Sequence, residues 1–491
     1  MSRSELLLGI DVGTASSKGA LVAADGEVVR VAVREHGVSL PRPGWVEQDA
    51  EAVWWGECVA LCHELLAGIE APIAAVGASG IGPCLLPCDA RDRPLRPAIL
   101  YGVDTRAEAE AAEVTERLGA ERILTRGGSA LSSQALGPKL LWLARHEPEV
   151  WAAMRRWHTA GSFLVARLTG EWVLDHQFAS QCDPFYEMAS SFWAEDWVGE
   201  VLPGLALPPL AWAAEVVGEV SAEAAAATGL TAGTPVVAGT IDAWAEAKSV
   251  GVTAPGELMV MYGSTMFFVL GAEVPADDPS VWTTAGTEPG SLTRAAGMAT
   301  SGSLTAWLRE MTGAPDFGTL VAEAAATAPG ADGLLVLPYF AGERTPLLDP
   351  RARGSITGLT LRHTRGHLYR AALEGISFGA RHNLETLAGQ RPHRVVAVGG
   401  GTRGELWTQI VSDVTGLEQE LPAQTLGAAY GDALLAAEGA GLVAPGSSWA
   451  QTAGTVTPRP EWRGLYDDRY RLYRDLHAAT VAIQHELAET A

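Results

Sequence analysis

Lysine is scarce in this sequence. Only three of its 35 basic residues are lysines, Lys18, Lys139 and Lys248, and all the others are arginines. Arginine therefore serves wherever only positive charge is needed, so each lysine position is a candidate for a more specific role.

Cysteine is also rare, and its five copies form no recognisable metal or redox motif. The pairs Cys58/Cys62 and Cys84/Cys88 each have three residues between them, whereas zinc and redox motifs commonly have two. The odd number and these spacings predict free thiols in a reducing compartment.

Long hydrophobic runs are absent. None approaches the ~18 residues of a membrane-spanning helix, and the run Leu6–Ile10 meets Asp11 too early for a signal peptide. The net charge of −23 opposes nucleic acid and anionic lipid, because a strongly acidic surface repels both. We therefore expect a cytoplasmic protein with no nucleic-acid or membrane partner. A homodimer is compatible with these observations.

The length of the chain predicts more than one domain. Hydrophobic cores stop growing at about 250 to 300 residues, and this chain has 491 residues, of which 47% are hydrophobic. Alternating strand-like and helix-like segments indicate a mixed α/β fold. Besides the motifs below, the expected elements are the strand Ile73–Ala78 and the helices Ala50–Ala67, Ala107–Leu118, Lys139–Arg145, Ala222–Thr228 and Trp462–Leu487.

The N-terminal segment has the pattern of an antiparallel meander. Three apolar strands, Leu6–Ile10, Gly19–Ala23 and Val28–Val33, are separated by a polar turn and an Asp-Gly turn. The polar turn, 11–17, offers glycine, hydroxyl groups and successive N–H donors to an anion. Asp11 would be repelled by phosphate unless Mg²⁺ lay between them, so it is a candidate metal-side ligand. The alternative is ordinary turn chemistry without a ligand.

A second segment repeats this pattern about half the chain later. The strands Glu257–Met261 and Met266–Leu270 flank a turn that contains Gly263 and Ser264. Two such hairpins predict a duplicated lobe with a ligand held between the copies, although a simple hairpin is the alternative. We expect lobes at 1–248 and 249–455, and a C-terminal helix at 456–491 that packs back across both.

A run of three glycines follows the apolar strand Val395–Val398 and precedes a helix that begins at Glu405. A strand–glycine–helix turn lets a phosphate or a flat ligand approach the backbone. The run Gly399–Gly401 therefore predicts a nucleotide contact, with a purely structural tight turn as the alternative.

Asp242 lies between the strand Val236–Ala238 and the helix Ala243–Val250, near the expected boundary of the lobes. Phosphoryl transfer to an alcohol needs a carboxylate that takes the hydroxyl proton. Asp242 is our candidate for this base, and its alternative role is an N-cap of the helix.

Two neighbouring stretches, Gly354–Leu359 and His367–Glu374, form the most specific motif of the chain. With the motifs above, the sequence resembles the FGGY family of carbohydrate kinases, which includes xylulose, ribulose and glycerol kinases, within the actin-like ATPase superfamily. The resemblance covers nearly the whole chain and implies two similar actin-like, ribonuclease H-like lobes with a nucleotide cleft between them. Supporting motifs in the family's order are 11–18, Gly44–Asp49, Arg96–Leu100, Leu337–Tyr339, Gly342–Pro346 and Gly399–Gly401.

The resemblance implies ATP and Mg²⁺ as cofactors and a role for each matching residue. Asp242 would be the base, and Asp11 and Asp242 would lie on the metal side. Gly404 stands where the family often carries Asn or Ser beside adenine, so only its backbone would contact the base. The residues implied at the nucleotide are Thr14, Ser16, Lys18, Gly263, Ser264, Gly302, Gly400, Gly401 and Gly404.

The acceptor side matches the family less well. Where xylulose kinases have a Gln-Met-His stretch that touches sugar, this chain has Ile81, Gly82 and Pro83. Asp104 is a further candidate for accepting sugar hydroxyls, so the candidate substrate contacts are Ile81, Gly82, Asp104 and Asp242.

We predict ATP-dependent phosphorylation of a sugar or polyol hydroxyl, with a ketopentose such as xylulose or ribulose as the substrate. One alternative is a catalytically weak regulator that binds a sugar or nucleotide on the same fold. Another is an actin- or chaperone-like ATPase, which would not require the motif near residues 354–374.

Overall fold

Two seven-stranded sheets form the centres of two lobes. The structure is a computed structural model that describes residues 5–389 and 391–490. The described residues do not include 1–4 or 491. The domain prediction assigned 1–4 to the first lobe and 491 to the C-terminal helix.

The first lobe is built on a sheet with the strand order β13-β14-β5-β1-β2-β3, with β15 also paired to β5. Its strands are β1 Leu6–Val12, β2 Ser16–Ala23, β3 Val28–Glu35, β4 Glu47–Gln48, β5 Ile73–Gly80, β6 Leu86–Cys88, β7 Ala98–Ile99, β8 Arg156–His158, β9 Leu174–Asp175, β10 Tyr186–Glu187, β11 Phe192–Trp193, β12 Leu210–Ala211, β13 Val216–Glu219, β14 Pro235–Val237 and β15 Thr240–Ile241.

Among the described residues, ten α-helices accompany the strands of the first lobe. The expected helix at Ala50–Ala67 begins with a π-helical turn, Ala50–Trp55. The α-helices are α1 Gly56–Leu66, α2 Glu108–Leu118, α3 Ala120–Gly127, α4 Leu136–His146, α5 Pro148–Ala153, α6 Ala160–Thr169, α7 His176–Ser180, α8 Glu195–Val201, α9 Ala222–Thr228 and α10 Asp242–Ser249.

The second lobe has the strand order β18-β19-β17-β16-β22-β23-β24. Its strands are β16 Glu257–Tyr262, β17 Met266–Ala272, β18 Trp282–Ala285, β19 Leu292–Met298, β20 Leu335–Leu337, β21 Ser355–Thr357, β22 Arg394–Val398, β23 Gln419–Pro422 and β24 Thr452–Val456. The remaining α-helices are α11 Gly302–Met311, α12 Phe317–Ala325, α13 Arg365–Ala388, α14 Glu405–Thr415, α15 Ala428–Gly439 and α16 Arg463–Glu489, and the 3₁₀ turns are Ala331–Gly333, Gly400–Arg403 and Pro460–Trp462.

The predicted repeat is confirmed by the topology. In the first lobe β1 pairs with β2 on one side and runs parallel to β5 on the other. In the second lobe β16 has the same relation to β17 and to β22. The turns also match, because the Gly13 N–H donates to the Ser16 carbonyl and the Gly263 N–H donates to the Thr265 carbonyl, both at 3.0 Å.

Helix α15 corrects the predicted lobe boundaries. It falls within 249–455, yet it packs on β1, β2 and β5 of the first lobe and against α10. Glycines make this close packing possible: a Cβ built on Gly77 would lie 2.2 Å from the Asp432 carbonyl oxygen, and one on Gly9 would lie 1.9 Å from the Ala429 carbonyl oxygen. The segment 249–455 is therefore shared between the lobes.

Helix α16 corrects a second expectation. It begins where the pattern predicted a helix, but it packs on α13, α14 and β20 of the second lobe instead of across both lobes. Tyr466 and Tyr473 are buried on its inner face, and the Tyr339 hydroxyl bonds to the Tyr473 hydroxyl at 2.7 Å. The helix therefore completes the core of the second lobe.

Two expectations from composition can be compared with the structure. All five cysteines are buried and none forms a disulfide, as predicted. Within residues 5–389 and 391–490, no helix combines the length and the apolar character needed to cross a membrane.

The packing of α10 on α15 predicts that Gly431→Ala destabilises the protein. A Cβ at Gly431 would lie 1.8 Å from the Ala245 carbonyl oxygen, so the two helices would have to separate. We expect the free energy of unfolding to fall by about 1–3 kcal/mol, the usual cost of overpacking, as measured by urea denaturation.

The matched control is Gly464→Ala. Gly464 is an exposed residue of α16 and its added Cβ would meet no atom within 4 Å. Alanine should raise helix stability there by about 0.5–1 kcal/mol. Equal effects of the two substitutions would contradict the proposed close approach of α10 and α15.

Candidate active site

The turn between β1 and β2 is held by three side chains. The Thr14 hydroxyl bonds to the Tyr101 hydroxyl at 2.9 Å, and Gln48 Nε2 donates to the Thr14 carbonyl at 3.1 Å. His36 Nε2 lies 3.0 Å from the Gly13 carbonyl oxygen. These contacts fix the turn in a single shape, which is what a preorganised phosphate-binding loop requires. Gln48 lies in the motif Gly44–Asp49, and Tyr101 directly follows the motif Arg96–Leu100, but neither residue was assigned this role from the sequence.

The turn between β16 and β17 lies against the N-terminus of α11. The Gly302 N–H donates to the Gly263 carbonyl at 2.9 Å, and the Ser301 N–H donates to the Ser264 carbonyl at 3.0 Å. A Cβ on Gly302 would lie only 2.6 Å from the Gly263 carbonyl oxygen, so glycine is needed for this approach. A helix N-terminus beside a turn of small residues favours an anion.

A cavity of about 1270 Å³ opens beside this second turn. Six of the nine residues predicted at the nucleotide line it, whereas Thr14, Ser16 and Lys18 lie on the first-lobe hairpin. Aromatic and apolar side chains line much of the rest of the wall, together with a few charged ones such as Arg370, Arg403 and Glu405. The six predicted residues are Gly263, Ser264, Gly302, Gly400, Gly401 and Gly404.

The glycine run has a different role at each position. Gly399 has φ +90°, and a Cβ there would lie 2.7 Å from the Tyr262 carbonyl oxygen. A Cβ on Gly401 would lie 2.6 Å from the Trp407 ring. A Cβ on Gly400, however, would meet no atom within 4 Å, so this position borders open space in the cavity. Gly404 precedes α14, so its backbone occupies the cap position of that helix.

Asp11 and Asp242 lie together, as the proposed phosphotransfer requires. Burial and the neighbouring charge of Asp242 raise the pKa of Asp11 to about 8. Burial also raises the pKa of Asp242, to about 6. The capping alternative for Asp242 is wrong, because Ile241 holds the cap position and Asp242 is the first residue of α10, where its Oδ1 accepts from the Ala243 N–H at 2.8 Å.

Two further carboxyl groups join this cluster that the sequence did not assign to it. Glu246 lies one turn beyond Asp242 on α10, and burial followed by the charge of Asp242 raises its pKa to about 7. Asp432 reaches the site from α15 and accepts from the Ser79 hydroxyl at 2.6 Å. That hydroxyl also lies 3.4 Å from Asp11 Oδ1. The spacing of Asp242 and Glu246 places them on one helix face, so Glu246 could have been found from the sequence.

The three lysines all occupy specific positions. Lys18 is paired with Asp11 across β1 and β2, and its charge lowers the pKa values of Asp11, Asp242 and Glu246 against the larger effect of burial. Lys139 is buried and donates to the Ser133 carbonyl. Lys248 is buried between Glu288 at 2.5 Å and Glu438 at 2.8 Å, so it joins α10 to α15 and to the second lobe.

The acceptor-side candidates separate into two groups. A Cβ on Gly82 would lie 2.3 Å from the Phe178 ring and 3.0 Å from Ile241, so Gly82 packs beside the residue that precedes Asp242. Ile81 is buried next to it. Asp104 is fully buried, and its carboxylate accepts from the Val46 N–H and from the Arg106 guanidinium, both at 2.7 Å. Asp104 thus anchors its own loop, and its contact with a sugar stays a prediction.

Comparison with known proteins identifies the family. The model described as the FGGY family of carbohydrate kinases, N-terminal domain, matches residues 6–247, and the C-terminal domain model matches residues 258–440. The chain belongs to this family. It is therefore a sugar kinase, and its two lobes are the actin-like, ribonuclease H-like lobes of FGGY kinases.

Relatives extend over most of the chain. A xylulose kinase from Escherichia coli is 32% identical over 452 residues, which are 88% of this chain and 89% of that protein. A glycerol kinase from Nocardia farcinica is 30% identical and covers 94% of this chain and 95% of its own length. The crystal structure of a xylulose kinase from Rhodospirillum rubrum superposes with a TM-score of 0.90 at 34% identity, covering 98% of this chain and 100% of that one. This membership favours sugar phosphorylation over the actin- or chaperone-like alternative.

FGGY kinases use ATP as the phosphate donor, generally with Mg²⁺, and the carboxylates of this site fit such a metal. Mg²⁺ is usually bound by one or two protein carboxylates together with phosphate oxygens and water. Asp11 and Asp242 are two neighbouring carboxyl groups. Burial raises the pKa of both, and the charge of Asp242 raises the pKa of Asp11 further. Among the described residues, no group of three or more His, Cys, Asp or Glu could hold a metal alone. The pair Asp11 and Asp242 fits a metal that takes its other ligands from phosphate oxygens and water.

The open position at Gly400 predicts that Gly400→Val weakens nucleotide binding without unfolding this FGGY kinase. The new side chain would project into the cavity, whereas its Cβ would meet no protein atom within 4 Å. We expect ADP affinity, measured by calorimetry, to fall at least tenfold, a loss of about 1.4 kcal/mol, with the thermal midpoint nearly unchanged.

Gly454→Val is the matched control. Gly454 lies in β24, away from the residues that line the cavity, and its Cβ would also meet no atom within 4 Å. ADP affinity should remain at the wild-type value in this variant. Full ADP affinity in Gly400→Val would contradict the assignment of this cavity to the nucleotide.

Proposed function

We propose that this FGGY kinase transfers the γ-phosphoryl group of ATP to a hydroxyl of a ketopentose such as xylulose or ribulose, with Asp242 as the base. The observation that carries the proposal is that Asp242 and Asp11 lie in one carboxylate cluster beside the first-lobe hairpin. The similarity to xylulose kinases supports the choice of sugar.

The geometry supports a division of labour between the lobes. The first-lobe turn offers Thr14, Ser16 and Lys18 to the phosphates, and the second-lobe cavity offers Ser264 and the N-terminus of α11. Mg²⁺, when bound, would neutralise charge on the phosphates, and Asp11 and Asp242 would hold it directly or through water. Closure of the lobes would exclude water, so that hydrolysis of ATP does not compete.

Asp242 has the acidity that this role requires. A base works best when its pKa lies near the working pH, because it must be ionised and still accept a proton. Burial raises the pKa of Asp242 to about 6, so the group is mostly ionised at neutral pH and remains a better proton acceptor than an exposed aspartate. We extend the proposal to a cytoplasmic location, since the relatives' substrates are small sugars and the net charge of −23 opposes polyanionic partners.

The proposal is tested with a panel of ketopentoses, other sugars and polyols, with ADP release as the readout. We expect xylulose or ribulose to give the highest kcat/KM. Tight ATP binding with no turnover of any compound would instead support the alternative of a catalytically weak regulator. Ile81 and Gly82, which stand in place of polar residues, favour that alternative.

Asp242→Asn should lower kcat by roughly a hundredfold or more, the usual scale of a lost general base. In the wild type, kcat should fall as the pH drops through about 6, because protonation removes the base. The residual rate of the variant should lack this dependence, since asparagine does not titrate. Steady-state kinetics from pH 5 to 8 on the preferred sugar measures both effects.

Asp25→Asn provides a matched control. Asp25 also accepts a backbone N–H, from Glu27 at 3.1 Å, but it is exposed in the β2–β3 turn outside the carboxylate cluster. Its kcat and pH profile should match the wild type. Wild-type turnover in Asp242→Asn with intact ADP binding would refute the assignment of the base.

A further inference from the structure

The loop Gly342–Pro346 is fixed at one end of the second-lobe sheet. The Thr345 N–H donates to the Gly297 carbonyl at 3.1 Å, and its hydroxyl donates to the Ser280 carbonyl at 2.8 Å. Glu343 is buried and its Oε1 accepts from the Ala299 N–H at 2.8 Å. The side chain of the intervening residue, Arg344, is therefore held in a defined direction by the backbone on both sides.

This end of the sheet is the end that carries the second hairpin turn. Gly297 is opposite Phe267 in the pairing of β19 with β17, and Phe267 follows the turn by two residues. A Cβ built on Gly297 would lie 3.8 Å from Arg344 Nη1, so the guanidinium lies near this strand end. Arg344 is thus placed beside the turn that adjoins the nucleotide cavity.

Arg344 also differs from two of the three arginines that line the cavity, whereas the third, Arg403, makes no ion pair with a described residue either. Arg370 is paired with Glu374 at 2.9 Å, and Arg459 is paired with Asp413 at 2.5 Å. The guanidinium of Arg344 is partly buried and makes no hydrogen bond or ion pair with any other described residue. A partly buried cation without a partner is available to an anion.

The charge of Arg344 acts on a residue of the first lobe, Tyr101. Burial raises the pKa of Tyr101, the charge of Asp242 raises it further, and the charge of Arg344 lowers it, so both charged groups lie near this ring. The Tyr101 hydroxyl bonds to Thr14 in the first-lobe turn. Arg344 is thus held on the second lobe, and its charge acts on a ring that bonds to the first-lobe turn.

The charges of the site create a need for such a cation. Asp11, Asp242, Glu246 and Asp432 gather around a single lysine, Lys18. A transferring phosphoryl group adds negative charge to this surrounding, and a preorganised donor aimed at that charge lowers the barrier. The planar guanidinium suits phosphoryl oxygens because it offers paired N–H donors.

We propose that Arg344 contacts the transferred phosphoryl group from the second-lobe side and stabilises its charge in the transition state. The inference rests on the proposed function. As the acceptor hydroxyl gives its proton to Asp242, its oxygen forms a bond to the γ-phosphorus. The bond from that phosphorus to the β–γ bridging oxygen breaks, and its electron pair leaves with ADP. Arg344 donates hydrogen bonds to the phosphoryl oxygens and exchanges no proton.

The test compares Arg344→Gln and Arg344→Lys with the wild type on the preferred sugar. Loss of one preorganised donor typically costs about 10²–10³ in kcat. We expect a loss of this size in Arg344→Gln. The loss in Arg344→Lys should be smaller, because lysine keeps the positive charge but lacks the paired N–H donors of the guanidinium. The KM for the sugar and the calorimetric Kd for ADP should stay within about threefold of wild type, because the contact belongs to the transition state.

Arg351→Gln is the matched control, since Arg351 lies just beyond the same loop, is exposed and faces Glu489 at 3.5 Å. Its kcat should equal that of the wild type. A wild-type kcat in Arg344→Gln would overturn the inference. A loss confined to the sugar KM or to ADP affinity would also overturn it, because Arg344 would then contact the substrate or the nucleotide in the ground state. If the wild type phosphorylates no compound of the panel, the proposed function fails and this inference fails with it. An active wild type with a normal Arg344→Gln overturns the inference alone.

Discussion

The site depends on holding several carboxyl groups together in a partly buried cleft. Burial raises the pKa values of Asp11, Asp242 and Glu246, and the charge of Asp242 raises those of Asp11 and Glu246 further. Lys18 is the nearby cation that opposes these shifts. Every positive charge that enters the cleft therefore stabilises the ionised cluster. This coupling explains why an enzyme that handles a highly charged phosphate donor can keep so many acids beside it.

Asp432 joins the cluster because α15 crosses to the first lobe. The chain leaves the second sheet after β23, forms α15 against β1 and β5, and returns to the second sheet as β24. Three chain segments therefore join the lobes: the connection from α10 to β16, the one from β23 to α15 and the one from α15 to β24. Any closing motion must move α15 with the first lobe, and Asp432 then keeps its contact with Ser79. The buried Lys248, paired with Glu438 on α15 and Glu288 in the second lobe, adds a charged contact at the same junction.

Local patterns predicted the parts of the fold that local physics determines. The meander at the N-terminus and its repeat at β16 and β17 follow from short apolar strands and glycine-containing turns, and both were found with boundaries within a few residues. The position of α15 was not predictable in this way, because an alanine-rich helix that is buried on nearly all sides has no polar face to show which sheet it covers. Asp432 was missed for the same reason.

Some site residues were predicted correctly from the sequence, and for others a local signal was overlooked. The glycine run at 399–401 was predicted from its position between a strand and a helix, whereas Gly302 was implied only by the family resemblance. The structure gathers Gly263, Gly302, Gly400 and Gly401 in one cavity. Asp104 shows the opposite case. Its partner Arg106 stands two residues away in the sequence, so the ion pair that occupies the carboxylate was available as a local signal. A carboxylate already neutralised by its own loop is a weaker sign of ligand binding than one facing other carboxylates.

The two halves of the site are also constrained to different degrees. On the nucleotide side, glycines are required because a Cβ would lie under 3 Å from backbone or ring atoms, as at Gly302 and Gly401. On the acceptor side, Gly82 is required for a different reason: the Phe178 ring occupies the space that a side chain there would need. A polar residue at 82 would thus demand a smaller residue at 178, so the two positions must change together. With Phe178 in place, Gly82 and the buried Ile81 beside it offer no polar side chain at this position.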